Sequence, residues 1–108
     1  PRPTPRIHSK RFLGAILGCW LAYFAEALRD EEMRRTAVEG TDRLRNVFRS
    51  AVEAGIKSNE LREGIDPAAA ADLLMCMWQG IRVEVGLYGI KEERAFRSLR
   101  QVLALMAK

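Results

Sequence analysis

From Ala68 to Ile81 the chain carries only two polar side chains, Asp72 and Gln79. Ala71, Leu74, Trp78, Ile81 and Val85 step by three and four, which puts them on one face of a helix. Leu73, Cys76, Gly80, Val83 and Leu87 form a second series, two residues out of step. Two residues turn a helix by about 200°, so the second series points away from the first. The pattern predicts a helix that packs inward on one face and requires a neighbour on the other.

Three further helices surround it in the sequence. The first is expected from about Lys10 to Leu28, with Leu13, Leu17, Trp20 or Leu21, Phe24 and Leu28 at helical spacing. Phe12, Ile16, Cys19 and Tyr23 make a second stripe beside these. Asp30 is placed to cap the next helix, with Glu31 and Glu32 in its positive first turn. That helix runs to about Ser58, with a weak point near Gly40 and Thr41. Met33, Ala37, Leu44, Val47, Phe48, Ala51, Val52 and Ile56 form its apolar stripe, and the charged residues Arg34 to Glu53 fall mostly off it.

Asn59 tolerates the left-handed backbone that closes many helices, so Ser58-Asn59 is a stop. Asp66-Pro67 is a start, with Asp as cap and Pro at the first helical position, where no amide donor is needed. The third helix reaches about Tyr88 and stops at Gly89. The fourth begins at Lys91 or Glu92 and reaches Ala107, with Phe96, Leu99, Val102, Leu103 and Met106 along one side. No strand pattern and no repeat is visible. Pro1, Pro3 and Pro5 cannot sit in a helix interior, so residues 1–10 read as a basic linker or loop.

The 108 residues suffice for one domain or part of one, and 48% apolar with 30% charged residues is an ordinary globular balance. The net charge of +4 is confined to the tail: beyond Arg2, Arg6, Lys10 and Arg11, 14 basic residues face 14 acidic ones. The body therefore has no excess charge to attract nucleic acid. Cys19 and Cys76 lie far apart in apolar runs, as expected of buried free thiols in a reducing cytoplasm. His8 is the only histidine, which leaves no cluster for a metal.

Phe12 to Ala25 is an uncharged run containing Gly14-x-x-x-Gly18, a membrane-helix signal. At 14 residues it is shorter than the roughly 20 that a span requires, and Glu26, Arg29 and Asp30 close it. No signal-peptide cleavage site follows it. No nucleophile elbow, phosphate loop, zinc-protease or dinucleotide motif is present. Glu31-Glu32 and Glu92-Glu93 sit at helix starts, where the helix dipole accounts for them. No catalytic residue, metal site or cofactor is expected.

Gly18-Cys19 opening an apolar helix, followed by NELREGIDPAAAADLLMCMWQGI, resembles the C-terminal half of tetracycline-repressor (TetR) family regulators. The resemblance covers roughly Arg11 to Lys108. It departs at Trp20, where the family often has Leu, and at Asn59, where it often has Gly. It implies an all-α, four-helix regulator domain that dimerises through an intermolecular four-helix bundle and senses a small molecule. In such regulators an N-terminal helix-turn-helix binds operator DNA. Nothing in this chain matches that module, and the chain begins without Met. The expectation is an effector-binding and dimerisation domain, residues 11–108, that meets operator DNA only through a missing N-terminal part.

Trp20, Tyr23, Phe24, Phe48, Val52, Met75 and Trp78 are placed to line an apolar cavity between the first three helices, with Arg82 and Glu84 as polar contacts. The expected ligand is apolar or amphipathic. The expected homodimer face joins Leu73, Cys76, Gly80, Val83 and Leu87 to Phe96, Leu99, Leu103 and Met106, with Gly80 allowing two backbones to approach closely. The rival reading is a dimerisation module that needs no ligand. The neutral body carries a direct prediction. In gel retardation at physiological salt, this chain should show at most weak, salt-sensitive binding to duplex DNA that is indifferent to sequence.

Overall fold

The computed structural model describes residues 10–108. Of the linker expected over residues 1–10, residues 1–9 lie outside the described residues, as do the side chains of Phe12, Leu13 and Leu17, and Lys10 already belongs to the first helix. The described chain forms four helices: α1 (Lys10–Ala27), α2 (Glu31–Lys57), α3 (Pro67–Gly86) and α4 (Glu92–Ala104). The all-α expectation holds. α3 packs most extensively on α2 and also meets α1 and α4, so it is the central element.

The boundaries follow from the caps. The Asp30 carboxylate accepts the Glu32 and Met33 amides at 2.9 and 3.1 Å. Asp66 accepts the Ala68 amide at 3.0 Å, and Pro67 opens α3. Each cap satisfies donors that the first turn leaves without partners. α2 closes as the sequence predicts: Asn59 takes φ 69°. The Glu60 amide donates to Gly55 O at 2.9 Å and the Asn59 amide to Ile56 O at 3.1 Å. This is the paired arrangement of a left-handed helix end. Gly89 takes φ 73° after α3.

Three expectations change. α2 runs unbroken through Gly40 and Thr41, where the Thr41 hydroxyl donates to Val38 O at 2.9 Å. α4 ends at Ala104, three residues before the expected Ala107. The reason is a competing partner for its last carbonyls. The Arg62 amide donates to Met106 O and the Arg62 Nε to Ala107 O, both at 3.0 Å, while the Lys108 amide donates to Glu60 O at 3.0 Å. These bonds draw the C-terminus alongside the α2–α3 turn, where Leu61 and Ala107 form an antiparallel bridge.

The third change concerns the inward face of α3. Its sealed positions are Ala71, with no exposed surface, and Met75, at 2%; Trp78, expected in the core, is 38% exposed. The face turned toward α2 therefore centres on Ala71 and Met75, about 60° from the expected line. On α2, Val52 is buried while Val47 is 60% exposed, so the stripe is narrower than its apolar letters. Arg45, expected on the wet face, is half-buried and its Nε lies 2.8 Å from Asp72 Oδ1 on α3. One of the two polar residues in the apolar stretch thus ties α3 to α2.

Leu61 folds back over the end of α2. A Cβ at Gly55 would meet Leu61 Cδ1 at 2.6 Å and Cγ at 2.9 Å. In an open helix interior, Gly→Ala stabilises by about 1 kcal/mol. Here Gly55→Ala should instead lower stability by about 1 kcal/mol, because Leu61 has to leave its seat. The check is the urea midpoint of Gly55→Ala alone and with Leu61→Ala, where the two changes should be non-additive in the relieving direction.

Candidate functional site

A cleft of about 510 Å³ opens between α1, α2 and α3. α1 contributes Trp20, Tyr23 and Phe24, one turn of aromatic residues. α3 contributes Met75, Trp78 and Arg82, which recur at three and four residues along one face. Six of the nine residues expected at a ligand site therefore come together. Phe48 and Val52 do not line the cleft. α2 meets it nearer its N-terminus, through Arg34, Ala37, Val38, Thr41 and Leu44. Val52 is 4% exposed, a core residue. Glu84, expected as a polar contact, lines a different groove, between α3 and α4.

The cleft is ordered by a few polar contacts. The Tyr23 hydroxyl donates to Met33 O at 3.3 Å and ties α1 to the start of α2. The Trp20 and Phe24 rings stack at 5.9 Å between centroids, 29° apart. The Arg82 guanidinium lies over the Trp20 ring, 4.7 Å from its centroid. This cation–π contact joins α3 to α1. The sequence pattern missed Arg34, Thr41 and Gln79. Gln79 had a signal: it is one of only two polar residues in the apolar stretch, four after Met75.

The second expected face of α3 carries exposed apolar surface. Leu73 is 59% exposed and Leu87 56%, Cys76 and Gly80 are exposed, and Val83 is half-buried. A Cβ added at Gly80 would meet nothing within 4 Å, so among the described residues no backbone approaches it closely. From α4, Leu99 lies beside Gly80 along a groove of about 340 Å³. Leu103 and Met106 lie beside Leu73 along another of about 290 Å³. Phe96 departs from this face. It lines a cavity of about 210 Å³ with Ile16, Trp78, Ile81 and Val85, on the α1 side of α3.

The model of the BetI-type transcriptional repressor C-terminal domain matches residues 10–108. The chain belongs to that family. It is the C-terminal regulatory domain of a TetR-type transcriptional repressor. No curated protein and no solved structure matches it significantly.

Within this BetI-type domain, Cys19 and Cys76 are free and exposed, a correction to the expected buried thiols. Cys19 falls on the outer side of α1, and Cys76 on the unpartnered face of α3. Among the described residues, no group of His, Cys, Asp or Glu is placed to hold a metal ion. No helix among them is long and apolar enough to cross a membrane.

The Arg82–Trp20 contact should be measurable. A double-mutant cycle with Arg82→Met and Trp20→Leu should give a coupling of about 0.5–1 kcal/mol between α1 and α3. Chemical unfolding of the four species measures it. A coupling indistinguishable from zero would mean that the two side chains do not stack in solution.

Proposed function

We propose that this domain binds a small apolar or amphipathic effector in the α1–α2–α3 cleft and forms a homodimer through the outward face of α3 and the end of α4. Binding there would modulate the DNA affinity of a helix-turn-helix module on its N-terminal side. The observation that supports this reading is the division of α3. One side, with Met75, Trp78 and Arg82, forms the cleft wall. The opposite side, with Leu73 and Leu87, carries apolar surface left exposed by the described residues. Soluble monomers rarely leave such surface uncovered.

A second copy supplies the missing neighbour with the same residues, as a two-fold interface requires. Two copies of α3 and α4 then make the four-helix bundle. A cavity of about 510 Å³ suits a small organic molecule, and three aromatic residues on α1 give it a large contact surface. An effector that fills the cleft contacts α1 and α3 together. It can shift the conformational equilibrium only by the difference in its affinity for the two arrangements, with each tenfold difference supplying about 1.4 kcal/mol. The ligand-independent rival has no use for the cleft.

The experiment has two arms. Sedimentation should show a dimer for the wild type and mainly monomer for Leu73→Glu with Leu87→Glu, at matched concentration. Both leucines are more than half exposed in the single chain, so the charges disturb the monomer little and penalise the interface four times. A monomeric wild type, or a variant dimer of unchanged affinity, overturns the dimer face. In the second arm, tryptophan emission follows titration with candidate effectors. If Trp20→Ala and Trp78→Ala both retain full affinity for a confirmed ligand, the cleft assignment is wrong.

A further inference from the structure

The charge of the cleft is one-sided. Among the described residues that line it, the only charged ones are Arg34 and Arg82, and none is acidic. The remainder of the wall is apolar or aromatic, with Tyr23, Thr41 and Gln79 as its neutral polar members. Neither arginine forms an ion pair with an acidic side chain among the described residues. Arg45 and Arg49, on the same α2, do find carboxylates: Asp42 and Asp72 for Arg45, Glu53 for Arg49. The two cleft arginines are therefore set apart from the salt-bridged surface around them.

Arg82 is also pre-positioned. It is half-buried, and its guanidinium lies over the Trp20 ring at 4.7 Å. A guanidinium stacks through its flat face and donates hydrogen bonds in its plane, along its edges. The contact with Trp20 restricts the side chain, and among the described residues no acidic side chain takes up its N–H donors. A planar oxyanion, carboxylate or sulfonate, is the acceptor that those edges match. The partly desolvated cleft strengthens such a bond relative to water.

We infer that the effector is an organic anion: an apolar body lying along the α1 aromatics, with a carboxylate or sulfonate group held at Arg82 and Arg34. The inference rests on the effector-binding reading of the same cleft and adds the charge of the ligand. A cation finds no counter-charge in the lining, and a neutral hydrocarbon leaves the two arginines without acceptors.

Two fluorescent probes share one skeleton and differ in the anionic group: anilinonaphthalene sulfonate and neutral N-phenylnaphthylamine. Both are to be titrated into the full 108-residue chain, with their emission as the readout. The sulfonate should bind about tenfold more tightly than the neutral probe, the least expected of one hydrogen bond to a charged group. Arg82→Met should cost the sulfonate about tenfold and the neutral probe much less. Arg34→Met should cost the sulfonate a smaller factor, because Arg34 is exposed at the rim. Added salt should weaken the sulfonate selectively.

The failures are distinguishable. Equal binding of the two probes, with both weakened by Trp20→Ala, overturns the anion preference and leaves the cleft as a site. A preference for the sulfonate that persists in both arginine variants also overturns it, because the charge is then read elsewhere. Absence of binding by either probe overturns the inference together with the effector-binding reading. Circular dichroism of each variant separates loss of an arginine from loss of the fold.

Discussion

Ala71 has no surface in contact with water, and Met75 one turn later has almost none. That seal fixes the rotation of α3, because a helix has no freedom about its axis once two successive turns on one side are closed. α3 packs more extensively on α2 than on any other helix. The remaining positions follow from helical geometry. Trp78 and Arg82 continue the sealed line beyond the place where α2 covers it, so they emerge into the cleft. Leu73, Cys76, Gly80 and Leu87 lie roughly opposite and are turned out. Cleft and outward face are thus two consequences of one packing contact.

The seal is made of small pieces. Among the described residues the buried apolar ones are Ala27, Val52, Ala71, Met75 and Ala95, with no large aromatic among them. A core that buries alanines brings helix axes close but removes little apolar area from water, at roughly 25 cal/mol per Å². Most of the large side chains among the described residues are left at the margins. Trp78, Phe24 and Tyr23 stay 38–50% exposed around the cleft, and Leu73, Leu87 and Leu105 more than half exposed on the other side. Most of the apolar area still open to burial therefore sits where a small molecule or a second chain would cover it. On the proposed reading, dimer and effector supply stability that the single chain lacks, which links assembly to folding by mass action.

The legible and illegible parts of this fold divide along physical lines. Helix ends were legible where a local residue determines them: Asp30, Asp66-Pro67, Asn59 and Gly89 each act through their own backbone and nearest amides. The end of α4 was not, because it depends on Arg62, 45 residues before the Ala107 carbonyl it binds. The two apolar faces of α3 were legible from period alone. Which residues seal the inner face was not: the apolar letters support Trp78 and Met75 equally, and the position of α2 decides between them. The same dependence explains Phe48 and Val52. Their stripe was read correctly, but the cleft follows α1, and α1 meets α2 several turns nearer the N-terminus of α2. Phe96 shares its side of α4 with Leu103, yet opposite ends of α4 meet different sides of α3.

The arginines show how charge acquires meaning only in three dimensions. Arg34, Arg45, Arg49 and Arg82 are indistinguishable as letters, and three of them fall in one amphipathic helix. The fold gives Arg45 and Arg49 carboxylates and turns Arg34 and Arg82 toward an apolar cavity without any. A cation beside apolar surface is costly unless a neighbour compensates for lost hydration. For Arg82 the Trp20 face does so in part, through the negative lobe of its ring quadrupole. That contact crosses from α3 to α1, the two elements that an occupant of the cleft would touch together. An anion bonded to the edges of Arg82 would reduce the net charge resting on the Trp20 ring and weaken the cation–π attraction, while adding its own bridge between the helices. On the proposed reading, Arg82 sits where the charge of a bound molecule would change the force that holds α1 against α3, and α1 is the first helix in the described chain, on the side where a DNA-reading module would precede it.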